Sequence, residues 1–346
     1  MPSTRRSVWR PPIDRVRRQP RSPTTPHSAH CTSQRSRAHQ FRSPATGIRC
    51  CTRHLEKPTM DNGSGVALPR YVELETSRRC NRTCGWCPNG EGSLRHDQEL
   101  MDWDLFAKIT GELGAMGYDG WLANHNYNEP LLNPRVFDEL DHVGQVLPRA
   151  KPAIYTNGDV LREPMLTRLL AAGVQYLRVT RYPHRAETPA SYESLRTWAR
   201  RAGLAQWPWE ERVVRQGLAL VWQRGEVKVE VIGPNIIAAY NNRGGTVTQL
   251  PMLASPRIEA CWMTATSASI DFRGRLKMCC CVYPDLDDHA GYVIGDLTEA
   301  SFTELWTGDQ MSGYRAAHAR ADWSLSPACR SCTQPLPETR RVSADA

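Results

Sequence analysis

Cys80-Asn81-Arg82-Thr83-Cys84-Gly85-Trp86-Cys87 sets three thiols in one short loop, spaced C-x3-C-x2-C. Thiolates are soft ligands suited to zinc, copper(I) or iron–sulfur centres. Three of them this close can hold three corners of a [4Fe–4S] cube and leave the fourth iron without a protein ligand. An iron left open in that way serves chemistry rather than architecture. Zinc is the competing occupant, although structural zinc takes C-x2-C pairs and a filled tetrahedron. The nearest further Cys or His after the loop is His96, beyond a Gly-rich turn.

Outward from the loop, the chain alternates short apolar runs with amphipathic stretches. Tyr71 to Thr76 is a strand running into the cysteines. Trp103 to Met116 has the spacing of a helix, with Leu105, Phe106, Ile109, Leu113 and Met116 on one side and Asp102 as its N-cap. A strand over 120–124 leads into Tyr127-Asn128-Glu129-Pro130. A helix over 136–147, a strand over 153–155 ending in Thr156-Asn157-Gly158, a helix over 165–172 closed by Gly173 and a strand over 174–180 follow. Short loops between such units predict a parallel, right-handed βα repeat. In barrels of that kind the chemistry sits at the C-terminal strand ends. The cysteines, Glu129, Asn157 and Thr180/Arg181 all fall there. Residues 191–222 read as helical with a break at Trp207-Pro208-Trp209, 226–232 as a strand and 235–240 as the last strand. Asn242-Arg243-Gly244-Gly245 then closes the unit.

The cysteine loop after a first strand, with an aromatic before the third cysteine, resembles the radical S-adenosylmethionine (SAM) superfamily. The resemblance implies an α/β fold, a partial (β/α)6 barrel, covering residues 60–250. It implies that Cys80, Cys84 and Cys87 hold a [4Fe–4S] cluster whose open iron binds the amino and carboxylate groups of SAM. Electrons from a donor such as flavodoxin or ferredoxin would cleave SAM to methionine and a 5′-deoxyadenosyl radical, which takes hydrogen from substrate. Asn128-Glu129-Pro130 resembles the family's second motif, with Asn128 in place of the usual Gly and Glu129 toward the SAM amino group. Asn157 and Thr180 would join Trp86 around the cofactor. Arg181 would hold the SAM carboxylate or a substrate oxygen, or take the hydroxyl proton. As plain residues, Asn157 is a turn and Arg181 a solvated loop charge.

A second cysteine set, Cys261, Cys279, Cys329 and Cys332, is enough to saturate a cube or a zinc ion. A hairpin is predicted around Arg273-Gly274-Arg275, and a helix through Phe302, Leu305 and Trp306. This layout over 251–335 looks like the twitch domain, the short form of the SPASM extension, which binds one auxiliary [4Fe–4S] cluster. Cys280 and Cys281 are extra: buried residues or substitute ligands, or, in the sharper alternative, Cys281 as a hydrogen-atom donor that would make an epimerase.

The formal charge of +8 is uneven. Residues 1–59 carry 13 Lys/Arg against Asp14 and Glu56, a net +11, which leaves −3 for the body. The body is therefore not a nucleic-acid binder by charge. Residues 1–59, rich in Arg, Ser and Pro, fit a targeting peptide, a basic arm or translation from an upstream start, with Met60 as the favoured beginning. Cys31, Cys50 and Cys51 are given no role, and 336–346 reads as a tail. No long apolar run predicts a membrane span, so a cytoplasmic enzyme with no membrane partner is expected. The pattern resembles aminocyclitol dehydrogenases, sugar epimerases and nucleoside-sugar decarboxylases of antibiotic biosynthesis, which implies a small-molecule substrate. A peptide-modifying or maturase activity is the alternative among enzymes; a zinc or iron–sulfur protein without turnover is the alternative outside them.

Overall fold

A computed structural model describes residues 66–91, 97–250, 253 and 255–334. The expectations for residues 1–59, His96 and the 336–346 tail lie outside these. Strand β1 (Tyr71–Leu74) occupies the middle of the sheet. Val72 and Leu74 are fully buried on one face, and Tyr71 and Glu73 take the other, as a two-residue period dictates. β1 pairs in parallel with β2 (Trp121–Ala123) on one side and β8 (Ser267–Ile270) on the other. β2 continues to β3 (Lys151–Thr156), β3 to β4 (Tyr176–Thr180) and β4 to β7 (Val227–Pro234), all parallel. Antiparallel strands extend both edges: β6 (Gly217–Arg224) and β5 (Glu210–Val214) beyond β7, β9 (Arg275–Lys277) and β10 (Val293–Asp296) beyond β8. The order among the described residues is β10-β9-β8-β1-β2-β3-β4-β7-β6-β5. This is the α/β, parallel-rich sheet that the alternation predicts.

The apolar face of the sheet lies under helices. In α1 (Trp103–Ala115), Leu105, Phe106, Ile109 and Leu113 are buried, and Asp102 accepts from the N–H groups of Asp104 and Leu105. α2 (Val136–Val146), α3 (Glu163–Ala171) and α4 (Tyr192–Arg201) complete the crossover helices. Near the C-terminus, β8 and β9 form the predicted hairpin, with Gly274 at φ 88°. The helix through Phe302 and Trp306 spans Phe302–Thr307 and starts in a capping box of Ser301 and Glu304.

Two expectations are corrected. Residues 210–224 form the β5–β6 hairpin rather than helix: Gly217, at φ 143°, makes the turn, and a Cβ there would strike the Gly233 carbonyl. Residues 235–240 are not a strand. Asn235 Oδ1 accepts the Ala238 N–H at 3.0 Å, capping a short helix over Ile236–Ala239, and this local cap overrides the β preference of Ile236 and Ile237. The sixth parallel strand is instead β8, supplied by the segment expected to begin a separate cluster region.

Candidate active site

The cysteine loop leaves β1 and is tied down by one carboxylate. Asp159 accepts from Arg82 Nη2 at 2.6 Å and Nε at 2.7 Å, from Asn81 Nδ2 at 3.0 Å and from Arg181 Nη1 at 3.0 Å. Burial alone would raise the Asp159 pKa, but the hydrogen bonds and charges of Arg82 and Arg181 outweigh it and hold it at about 2. Asn157 reinforces the anchorage, its Nδ2 donating to Asn81 Oδ1 at 2.8 Å. Arg181 also donates to the Asn157 carbonyl and lies over the Trp198 ring at 5.4 Å. Its guanidinium is thus engaged in holding the loop. Trp86 is buried against Ile236, Val247 and Leu250 and packs on Tyr182, ring centroids 6.0 Å apart. Thr180 is buried and hydrogen-bonded to Tyr240.

Glu129 is 2% exposed and takes Thr156 Oγ1 at 2.5 Å, the Asn157 N–H at 2.6 Å and the Leu131 N–H at 3.2 Å. An ionised carboxylate has about four acceptor positions, so one remains for a further donor. Burial raises its pKa to about 7. Its own N–H donates to the Arg79 carbonyl at 2.8 Å, joining motif to loop. Asn128 is spent locally, accepting from the Asn126 N–H at 3.1 Å and donating to Ser77 Oγ at 3.1 Å.

The described cysteines are free thiols. Burial pushes Cys80 up to about 11 and Cys84 up to about 12, and raises Cys87 as well, so a metal must displace protons as it binds. Cys261, Cys279, Cys329 and Cys332 line one small cavity, partly open to solvent. The four are brought together as the spacing predicts. Cys281 lines the same cavity, which spacing alone did not assign. Its thiol hydrogen-bonds to Cys279, Cys280 and Cys332, which raises its pKa, and reaches Asn241 Oδ1 at 3.6 Å. Among the described residues no three His, Cys, Asp or Glu converge on a single ion. A cube, whose cysteines bind separate irons, asks for no such convergence, and the soft, unoxidised donor sets fit it.

The polar face of the sheet lies between these sets and carries residues that motif reasoning did not single out. Glu73 is enclosed beside Asn126 and Ser269, and burial raises its pKa. Burial raises Glu75 to about 7. Lys277 is fully buried. His125 is pushed down to about 3 by burial and then by Arg243, Arg178 and Lys277, which keeps the imidazole neutral. Tyr127 links the two sides: its carbonyl accepts from Asn89, two residues beyond Cys87, and its hydroxyl donates to the Cys280 carbonyl at 3.0 Å. The sign in the sequence was the alternation Tyr71-Val72-Glu73-Leu74-Glu75, polar residues on every second position of a strand otherwise built for a core.

The comparisons agree with this geometry. Residues 261–333 match the SPASM iron–sulfur cluster-binding domain family. The chain is 26% identical over 261 residues to the S-adenosyl-L-methionine-dependent 2-deoxy-scyllo-inosamine dehydrogenase of Niallia circulans, covering 75% of this chain and 91% of that protein. It is 26% identical over 119 residues to a PqqA peptide cyclase of Xanthomonas campestris, a match to 34% of this chain and 30% of the cyclase. The fold is that of the crystal structure of BtrN in complex with AdoMet and 2-DOIA, with TM-score 0.60 and 24% identity over 79% of this chain and 96% of that one. BtrN in an open conformation gives TM-score 0.52 at 21% identity, over 77% of this chain and 93% of that one. The C-terminal region is of the SPASM type, and the chain as a whole is similar to a SAM-dependent dehydrogenase. The SPASM family binds an iron–sulfur cluster, and the Niallia circulans relative depends on S-adenosyl-L-methionine. Among the described residues no helix is long and apolar enough to cross a membrane.

Proposed function

We propose that this enzyme oxidises a secondary alcohol on a small polyhydroxylated ring, an aminocyclitol or related sugar, as a dehydrogenase. The observation that carries the proposal is Tyr127, hydrogen-bonded at one end beside the C-x3-C-x2-C loop and at the other to the Cys280 carbonyl. It puts the polar face of the sheet within reach of both thiol sets.

Cys80, Cys84 and Cys87 would hold the SAM-binding cluster, and Cys261, Cys279, Cys329 and Cys332 the auxiliary one. When bound, the first supplies the electron that splits SAM into a hydrogen-abstracting radical, and the second an electron acceptor near the substrate. The protein's own part is to place and enclose. Asp159 fixes the loop through Arg82 and Asn81. Glu129 keeps one acceptor position for the SAM amino group. The buried polar face holds the ring away from bulk water, which protects a reactive carbon centre from side reactions. Cys281 packs among the auxiliary thiols, which favours dehydrogenation over hydrogen return from that thiol. A flavodoxin or ferredoxin would serve as electron donor.

Anaerobic reconstitution tests this. About eight irons per chain, 5′-deoxyadenosine on reduction with SAM, and a ketone from 2-deoxy-scyllo-inosamine or a related cyclitol are expected. SAM cleavage that oxidises no polyol, but modifies a peptide, would refute the substrate class.

A further inference from the structure

One cation on the polar face has no hydrogen-bond partner among the described residues. It is the Lys277 Nζ, and the side chain is fully buried. A buried ammonium with unused donors is costly. Its compensation is the face of Tyr127, 5.1 Å away, and the nearby charges of Glu73 and Glu75. The sheet register explains its aim. Ala153, Ala123, Glu73, Ser269 and Lys277 stand opposite one another across β3, β2, β1, β8 and β9. The row therefore has a floor of small side chains, with charged ones at Glu73 and Lys277.

A second unpartnered atom lies beside it. Asn126 gives its Nδ2 to Glu73 Oε2 at 2.5 Å and Ser269 Oγ at 3.1 Å, while its buried Oδ1 accepts nothing. The amide orientation is fixed by Glu73, since the reverse would set oxygen against carboxylate. A spare donor and a spare acceptor thus flank the same two residues, Glu73 and Ser269. Lys277 lies two residues before Cys279 and Asn126 three before Glu129, so the pair is tied along the chain to both candidate centres.

We infer that Lys277 and Asn126 form a hydroxyl-binding subsite, the ammonium donating to a ring oxygen and the Asn126 side-chain oxygen accepting a hydrogen bond from that hydroxyl. The inference rests on the proposed polyol dehydrogenase and adds which group of the ring is held here. A neutral hydroxyl satisfies both atoms. A substrate ammonium would meet Lys277, and a substrate carboxylate would meet Glu73 and Glu75, so the ring's charged substituents point elsewhere.

The test uses the reconstituted, SAM-loaded enzyme with 2-deoxy-scyllo-inosamine, scyllo-inositol and glucuronic acid as probes of ligand-induced thermal shift. At least one hydroxylated ring should stabilise the wild type. Lys277→Met should weaken its Kd by about 10- to 100-fold, the scale of a hydrogen bond to a charged group, with iron content and the probe-free Tm retained. Asn126→Ala should weaken the same probe less, and decides the matter if the Lys277 variant fails to fold. Unchanged affinity in both variants overturns the subsite. So does a wild type that cleaves SAM yet binds none of the probes. A wild type that cannot cleave SAM fails at the earlier step, and the radical SAM chemistry itself is then refuted.

Discussion

Replacing Asp159 with Asn removes one charge from the hub that holds the cysteine loop. The shape of the side chain survives, but the bidentate partner of Arg82 and the counter-ion of Arg181 are lost. A carboxylate held at about 2 instead of the usual 3.8 corresponds to roughly 2.5 kcal/mol at 1.36 kcal/mol per pKa unit. The side chain is 29% exposed, so solvent screening reduces this to about 1–1.5 kcal/mol. The sign is that of a depressed acid: the stabilisation is full above the unfolded pKa near 4 and is lost as pH falls through about 2. For a domain of this size the expected fall in Tm is about 2–3 °C. The local effect should exceed the global one, because Asn81 and Arg82 lie between Cys80 and Cys84, two of the proposed cluster ligands. Anaerobically reconstituted Asp159→Asn should lose iron from the loop while keeping the auxiliary set, toward about four irons per chain, and should release little 5′-deoxyadenosine. A variant with full iron and wild-type SAM cleavage would show that the hub is dispensable.

Two further outcomes are expected. Cys281→Ala should keep its auxiliary iron, whereas Cys279→Ala should lose it; iron loss in the Cys281 variant would make that thiol a ligand. Glu129 has a folded pKa raised to about 7 from 4.5 by burial, so its ionisation destabilises the apo chain as pH rises through that window. Denaturant titration of apo protein at pH 5 and pH 8 should give a smaller difference for Glu129→Gln than for wild type, by about 2–3 kcal/mol. Equal differences would mean that the carboxyl titrates normally.

The first half of the body was legible from sequence because its periods are clean. Val72 and Leu74, then Leu105 to Leu113, then Ile154, announce strand, helix and strand with little interference. Legibility falters after Arg201 and returns at Val227. Val213, Val214 and Val221 sit in a hairpin whose turn depends on Gly217, yet the preceding Trp-Pro-Trp reads as a broken helix. At Ile236-Ile237 a side-chain cap from Asn235 decides against the strand. The pairing of β8 with β1 joins residues nearly two hundred positions apart, and no local signal encodes it. The cysteine positions were readable because spacing is chemistry. Lys277 and Asn126 were not, since a buried charge is conspicuous only once its surroundings are known.

The parallel pairing of β8 along β1 also constrains how such a chain can be dismantled. Cutting it after residue 250 would not release a self-sufficient catalytic half. It would strip β1 of four residues' worth of hydrogen bonding and turn the strand that feeds the cysteine loop into a raw border, open to sticking and fraying. Grafting the last third onto a different catalytic scaffold would succeed only where the recipient offers a matching selvedge in the same direction and register.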